Sequence, residues 1–306
     1  MPKILSFIEK FFRAFLLFGI VFGLLLPDFS AIFGPYLGHF LFVIMYLSLL
    51  KVDFQELKNL IKKPRSLLRF TGVSMIIGPI VFYFLTKWVA PEMAVAIFLI
   101  VAMPTGVSTS ALTGLAKGNI AQVVGYTFVT SLLTPIIFPI LSSQLLGNSF
   151  DFPVKHMFGV LLVLLIVPLV LAFLTKRLFP QTVTKTKSYY SSITIILLLF
   201  LIMGPIGEHQ SFFAELSAGE VVRPLVMISL LLLCLHVIGR IIHYRESTSY
   251  KISWSMGFAY VNLSLAIFLA AAYFDAQVLF IVLLANSPWS LIMILAIKLF
   301  RRRSSR

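Results

Sequence analysis

A chain of 306 residues that is 59% hydrophobic and 12% charged, with a mean hydropathy of +1.01, has too few charges to cover a soluble surface, for which about 25% is usual. Lipid is the expected solvent, and at about 20 apolar residues per crossing of a hydrocarbon layer about 30 Å thick the length holds about ten helices. A net charge of +14 would point to nucleic acid in a soluble protein. Here no basic stripe is long enough to track phosphates, and such charge belongs in cytoplasmic loops. One cysteine, Cys234, excludes a disulfide framework within the chain. His39, His156, His209, His236 and His243 lack metal-ligand spacing.

The apolar segments fall near 12–27, 35–52, 67–88, 91–115, 119–146, 155–175, 189–206, 222–243, 252–273 and 276–299. Lys3, Lys10 and Arg13 precede the first, which ends at Pro27 and Asp28 with no small-residue cleavage site, so it reads as a retained helix rather than a signal peptide. With the N-terminus inside, only Lys87, Lys155 and Arg223 of the 25 basic residues fall outside, which leaves 22 inside. A wrong helix count would scramble that alternation, so the positive-inside rule predicts ten helices with both termini cytoplasmic. The implied location is the plasma membrane, crossed many times. The acidic residues lie in loops or at helix ends, so no intramembrane carboxylate marks a proton relay or cation site.

Two segments interrupt the apolar pattern. The fourth contains PTGVSTSALTGLAKGN (104–119), and the ninth contains SWSMGFAYVNLSLA (253–266). Each puts glycine beside hydroxyl or amide side chains near mid-membrane, where exposed backbone cannot be left unpaired. Close helix packing through small residues is the plainer account of one such stretch. Two at matching places, each fourth of five, predict inverted repeats with broken helices, a transporter pattern. Pro79, Pro135, Pro139, Pro168 and Pro288 mark bends elsewhere.

Three stretches carry a family resemblance: YLSLLKVDFQELKNLIKKPR (46–65), PTGVSTSALTGLAKGNIAQVVGYTFVTSLLTPIIFPIL (104–141) and GFAYVNLSLAIFLAAAYF (257–274). They resemble the bile acid:sodium symporter family, most specifically in Leu115–Asn119 with Leu132–Pro135. The resemblance implies an all-α membrane fold of ten transmembrane helices in two inverted five-helix repeats, 1–150 and 151–306, with helices 4 and 9 broken and crossing. It also implies a panel of helices 1, 2, 6 and 7 and a core of helices 3–5 and 8–10, with substrate in the crevice between them. The implied activity is secondary transport of an organic anion, usually driven by sodium.

On this reading Thr105, Gly106, Val107, Ser108, Tyr260, Val261 and Asn262 form the substrate region. Carried over residue by residue, the family's first sodium site maps to Thr109 and Ser110 at the crossing and to Val123 and Thr127 on helix five. The family's helix-nine glutamate is Ser255 here, the glutamine one turn on is Ala259, and the adjacent asparagine is Tyr260. Thr109, Ser110, Thr127 and Ser255 are therefore the expected ion ligands, and the charged one is missing. The expected function is transport of a small organic anion by alternating access, with sodium coupling weakened or absent and no cofactor beyond that ion. The alternatives are a fully sodium-coupled bile-acid-type symporter and a non-transporting sensor of the same descent. An arsenite-type carrier is disfavoured because Cys234 lies away from the crossing. An intramembrane enzyme is disfavoured because no acid, base or metal set converges.

Overall fold

In a computed structural model of the chain, residues 12–52, 64–147, 153–243 and 245–303 are described. The expected repeat boundary at 150/151 lies outside them. The described residues are helical apart from short turns, and one isolated antiparallel bridge joins Thr105 to Val261. We label the helices α1 (Phe12–Leu25), α2 (Leu37–Leu50), α3 (Arg65–Val89), α4a (Ala94–Val101), α4b (Thr109–Leu115), α5 (Ile120–Leu146), α6 (Val154–Leu178), α7 (Pro180–Glu208), α8 (Ala218–Ile241), α9a (Thr248–Ala259), α9b (Leu263–Tyr273) and α10 (Ala276–Arg301).

Among the described residues seven helices are long and apolar enough to cross a bilayer: α3, α5, α6, α7, α8, α10 and the stretch Pro27–Leu50 that contains α2. The expectation was ten. The fourth and ninth segments fall short because each is two pieces of 7 to 12 residues, and α1 is described over 14. Large apolar side chains stay exposed in helical stripes, as with Val222, Val226, Leu230, Leu233, Val237 and Ile241 on α8 and Leu291, Leu295 and Leu299 on α10. Stripes of that length mark a surface that meets lipid rather than water.

Prolines shape the long helices locally. In α3 and α6 the turns Val73–Ile77 and Leu162–Ile166 widen to π geometry, each two residues before a proline, Pro79 and Pro168. A proline ring collides with the carbonyl four residues back, and a widened turn relieves the clash. In α10, Pro288 lies just past a break in the helix at Ala285, between Leu284 and Asn286, where its ring faces the Leu284 carbonyl position four residues back. Side chains capture the free amides at helix starts: Asn119 accepts from the Gln122 N–H at 3.1 Å, and Asp275 accepts from the Val278 N–H at 2.9 Å.

The helices pack in two groups. α7 lies against α1 and α2, and α6 lies against α2; α8 lies against α9a and α10, and α4a against α3 and the first half of α10. α5 joins them, touching α3, α4b, α9a and α6. Contact between α8 and α9a is close to backbone-on-backbone: a Cβ on Gly239 would stand 2.7 Å from the Ser255 Cα. The Arg223–Glu92 ion pair at 2.6 Å ties α8 to the turn before α4a, but both side chains are exposed, so packing outweighs it.

α4b ends in a Schellman motif, with the Gly118 N–H on the Thr113 carbonyl at 2.9 Å and the Lys117 N–H on the Gly114 carbonyl at 3.1 Å. The left-handed position that normally takes glycine is held by Lys117, with φ 62°. A side chain there costs about 1–2 kcal/mol. Lys117→Gly is therefore expected to stabilise the protein by about 1 kcal/mol. Thermal unfolding in detergent measures this, and an unchanged or lower midpoint contradicts it.

Candidate functional site

The site grows from the two interruptions. α4a stops at Val101 because Pro104 follows, and the residue before a proline is pushed out of helical geometry. α9a stops at Ala259, and Asn262 starts α9b by accepting from the Leu265 N–H at 3.1 Å. The loosened stretches run antiparallel across each other. The Asn262 N–H donates to the Pro104 carbonyl at 2.8 Å, and the Gly106 N–H donates to the Tyr260 carbonyl at 3.0 Å. Gly106 is needed for this approach, since a Cβ there would stand 3.0 Å from the Val261 carbonyl oxygen.

Threonine hydroxyls add to this network, as second donors to two carbonyls already bonded to backbone amides and as partners to the Gly257 carbonyl and the Thr105 N–H. Thr105 Oγ1 donates to the Gly257 carbonyl at 3.0 Å, and the Thr105 N–H donates to Thr130 Oγ1 of α5 at 3.1 Å. Thr109 Oγ1 donates to the Tyr260 carbonyl at 2.8 Å, and Thr127 Oγ1 reaches the Gly106 carbonyl at 3.4 Å. A backbone carbonyl buried without such a donor costs about 1–3 kcal/mol, so these residues are what permit two broken helices to meet in an apolar interior.

Beside the crossing is a cavity of about 430 Å³. One wall is the crossing, through Gly106, Val107, Ser108, Val261 and Asn262. The facing wall is α2 and α7, through Met45, Ser48 and Lys51 on one and Ser191, Thr194 and Ile195 on the other. Asn286, Trp289 and Ser290 of α10 close a third side, just past the helix break at Ala285. Lys51, the C-cap of α2, is the cavity's one charged lining residue among those described, and its ammonium donates to Ser191 Oγ at 2.8 Å.

Not every expected residue faces this space. Gly106, Val107, Ser108, Val261 and Asn262 line it, whereas the side chains of Thr105 and Tyr260 are buried and turned away. Thr105 is held by Gly257, and the Tyr260 hydroxyl is hydrogen-bonded to His236 Nε2 at 2.8 Å. Of the expected ion ligands, Thr109 and Thr127 converge on the crossing carbonyls, and Ser110 donates to the Val107 carbonyl at 3.2 Å. The fourth, Ser255, is engaged elsewhere. Its Oγ lies 2.7 Å from His236 Nδ1 and donates to the His236 carbonyl at 3.1 Å, inside the α8–α9a contact. Because that serine has a single hydrogen, donating it to the carbonyl leaves Nδ1–H as donor to Oγ, and the Tyr260 hydroxyl then donates to Nε2.

Lys51, Ser191 and Asn286 were not among the expected site residues. The sequence shows Lys51 as one more inner basic residue, and nothing in local periodicity says that α7 lies opposite it. Among the described residues no three His, Cys, Asp or Glu side chains gather as a metal site.

Seven bilayer-length apolar helices among the described residues, with two interrupted helices paired at their breaks, are the architecture of a multi-pass membrane protein. The chain belongs to the sodium bile acid symporter family, whose profile matches residues 39–216. It is 24% identical over 210 residues to the uncharacterized sodium-dependent transporter YocS of Bacillus subtilis (strain 168), covering 68% of this chain and 65% of that protein. It is 21% identical over 263 residues to the probable sodium/metabolite cotransporter BASS2, chloroplastic, of Oryza sativa subsp. japonica, covering 83% of this chain and 62% of that one. The chain thus spans less than two thirds of the length of these relatives. The family is one of transporters and both relatives are named as transporters, not enzymes.

Thr105 supplies a check on the crossing itself. Thr105→Val keeps shape but strips the donor from the Gly257 carbonyl, and it should cost about 1–3 kcal/mol of stability, with Thr105→Ser recovering most of that. Equal thermal midpoints for wild type and Thr105→Val would show that the hydroxyl does not hold the crossing.

Proposed function

We propose that the chain is a secondary transporter that moves a small organic anion across the membrane by alternating access. The observation that carries this reading is the cavity between the paired breaks and the α2–α7 wall, with Lys51 as its charge. A concave, largely apolar space with a few polar groups is what a small-molecule site requires, and a fixed ammonium there favours an anion. The substrate residues are Gly106, Val107, Ser108, Val261 and Asn262 with Lys51 and Ser191. Tyr260 and Thr105 support them from behind.

The chain is read as ten spans in two inverted repeats, with α1, α2, α6 and α7 moving as one body against α3–α5 and α8–α10. Three parallels support the repeat: α4 and α9 each break once, each is followed by a helix with an Asn or Asp cap, and the breaks pair antiparallel. The termini then face the cytoplasm and the membrane is the plasma membrane. A cysteine placed at exposed Glu215, in a background without Cys234, should react with an impermeant reagent from outside. One placed at Lys185 should react only after permeabilisation. The reverse pattern would invert the topology.

Sodium is the ion its relatives' names point to. Thr109 and Thr127 with the Gly106 and Tyr260 carbonyls offer oxygens for one cation, and no carboxylate accompanies them. Losing one charged partner of a buried ion site costs about 3–5 kcal/mol, or about two to four decades of affinity. Coupling is therefore weak. Uptake of a panel of carboxylates into proteoliposomes tests transport and coupling together. A rate that changes little with the sodium gradient is expected. A sigmoidal sodium dependence with a Hill coefficient near two would restore the fully coupled alternative, and no uptake or counterflow of any carboxylate would leave the sensor.

A further inference from the structure

A second cavity, of about 770 Å³, lies away from the crossing, where the first turn of α8 meets the turn before α4a, the start of α10 and the connection that follows α7. Part of its lining is apolar, through Phe212, Leu216, Phe280 and Ile281, with Phe212 standing edge-on to Phe280 at 6.4 Å. Its charged lining residues are Glu220 and Arg223 of α8 and Glu92 of the turn before α4a. The transport reading above makes no use of them.

Glu220 and Arg223 are three positions apart on one helix, a spacing at which opposite charges ordinarily pair. Here each turns away from the other. Arg223 crosses to Glu92 through Nη1 at 2.6 Å. Glu220 turns back to Ser217, whose N–H and hydroxyl both donate to its Oε2, at 2.8 and 2.6 Å. A guanidinium carries donors on two further nitrogens, and neither those of Arg223 nor Glu220 Oε1 has a partner among the described residues. A cationic fork and a carboxylate oxygen are thus left open to one cavity, on Cβ atoms about 5–6 Å apart. These side chains make the site, not the helix terminus, which Ser217 and Glu220 already cap.

The cavity also sits at the head of a lipid-facing surface. Val222 lines it and begins the exposed α8 stripe that continues through Val226 and Leu230. Trp88, 84% exposed at the end of α3 and four residues before Glu92, stands as interfacial indoles do. We propose that this cavity binds the headgroup of phosphatidylethanolamine, with the phosphate accepting from the open donors of Arg223 and the ammonium donating to Glu220 Oε1. Two carbons separate phosphate from ammonium in that headgroup and bridge the one-turn gap, while the acyl chains follow Val222, Val226 and Leu230. A planar guanidinium suits a phosphate, and Arg223 keeps Glu92 through Nη1. Phosphatidylcholine offers the same phosphate but no N–H for Glu220. An anionic headgroup meets two carboxylates against one guanidinium and is disfavoured by that surplus. The proposal needs only a membrane-embedded chain, so it stands or falls apart from the identity of the transported solute.

The test titrates the full chain, in detergent micelles, with dioleoyl lipids that differ only in headgroup and counts the bound lipids by native mass spectrometry. Phosphatidylethanolamine should fill one site about tenfold tighter than phosphatidylcholine, the factor that one charge-assisted hydrogen bond supplies, and phosphatidylglycerol should be weakest. The N-methyl series reads the contact on the wild type: mono- and dimethyl headgroups, which keep an N–H, should bind like ethanolamine, with the drop at choline. Glu220→Gln should bring the ethanolamine and choline lipids to equal affinity and strengthen phosphatidylglycerol. Arg223→Gln should weaken the ethanolamine and choline lipids alike, by about tenfold. Thermal midpoints within a few degrees of wild type exclude misfolding of the variants, and the N-methyl series decides the matter without them. Equal wild-type affinity for ethanolamine and choline lipids, phosphatidylglycerol binding tightest, or a preference unmoved by Glu220→Gln would overturn this inference. Displacement of the lipid by an equal concentration of glycerophosphoethanolamine would overturn it too, by showing that the site takes a free zwitterion.

Discussion

The structure depends on one constraint: a backbone that leaves helical geometry in a hydrocarbon interior must find every hydrogen bond inside the protein. Two interrupted helices solve it for each other. The Asn262 amide donates to the Pro104 carbonyl and the Gly106 amide to the Tyr260 carbonyl; Thr105 donates to the Gly257 carbonyl, and Thr109 and Thr127 add second donors to the Tyr260 and Gly106 carbonyls. Threonine suits this role because its hydroxyl reaches backbone at short range while its methyl group packs apolarly. The pairing fixes register as well as contact. Sliding one strand by a residue would strand the Gly257 carbonyl and bring a side chain to the place that Gly106 keeps open beside the Val261 carbonyl.

That solution separates rigidity from charge. The crossing is neutral and over-determined, braced behind by the buried Ser255–His236–Tyr260 chain and by the edge-on packing of Trp289 on Tyr260 at 5.0 Å. The cation stands across the cavity on α2, with its hydroxyl partner on α7. A ligand spanning the space touches both packing groups, so displacing one group against the other changes every distance from Lys51 to the crossing while each group keeps its own contacts. A site divided in this way suits alternating access, since the two walls can part on one side of the membrane while they close on the other.

What could be read from the sequence follows the range of the interactions involved. Hydropathy placed the long helices, since burial in lipid acts residue by residue. The PTG and VNLS stretches announced the breaks because glycine, proline and hydroxyl side chains are out of place in an apolar run. The π-turns in α3 and α6 were hidden, because Pro79 and Pro168 declare a bend and not its form. The direction of side chains within the breaks was illegible too: Thr105 and Val107 are two residues apart, yet only Val107 faces the cavity. Lys51 was read as a topology signal because its role depends on α7, some 140 positions on. Ser255 stood in an ion ligand's place by alignment, and it was the neighbour on α8, invisible in sequence, that claimed its hydroxyl.

Among the described residues no carboxylate lines the cavity beside the crossing, and an ammonium stands across from it; the two bear on one electrostatic balance. An anion entering a low-dielectric cavity needs a counter-charge nearby, which either travels with it or belongs to the protein. A travelling sodium ion requires its own anionic ligand while the substrate is away, because hydroxyls and carbonyls alone hold it weakly, and Thr109, Thr127 and their two carbonyl partners are such a set. A lysine that belongs to the protein imposes no such demand: it stays in place whether or not a substrate is bound, with Ser191 Oγ among its partners. In the function proposed here, the fixed charge of Lys51 relieves sodium of the task of neutralising the substrate. Weak coupling to sodium and a cation on α2 are then consequences of a single choice about where the counter-charge resides.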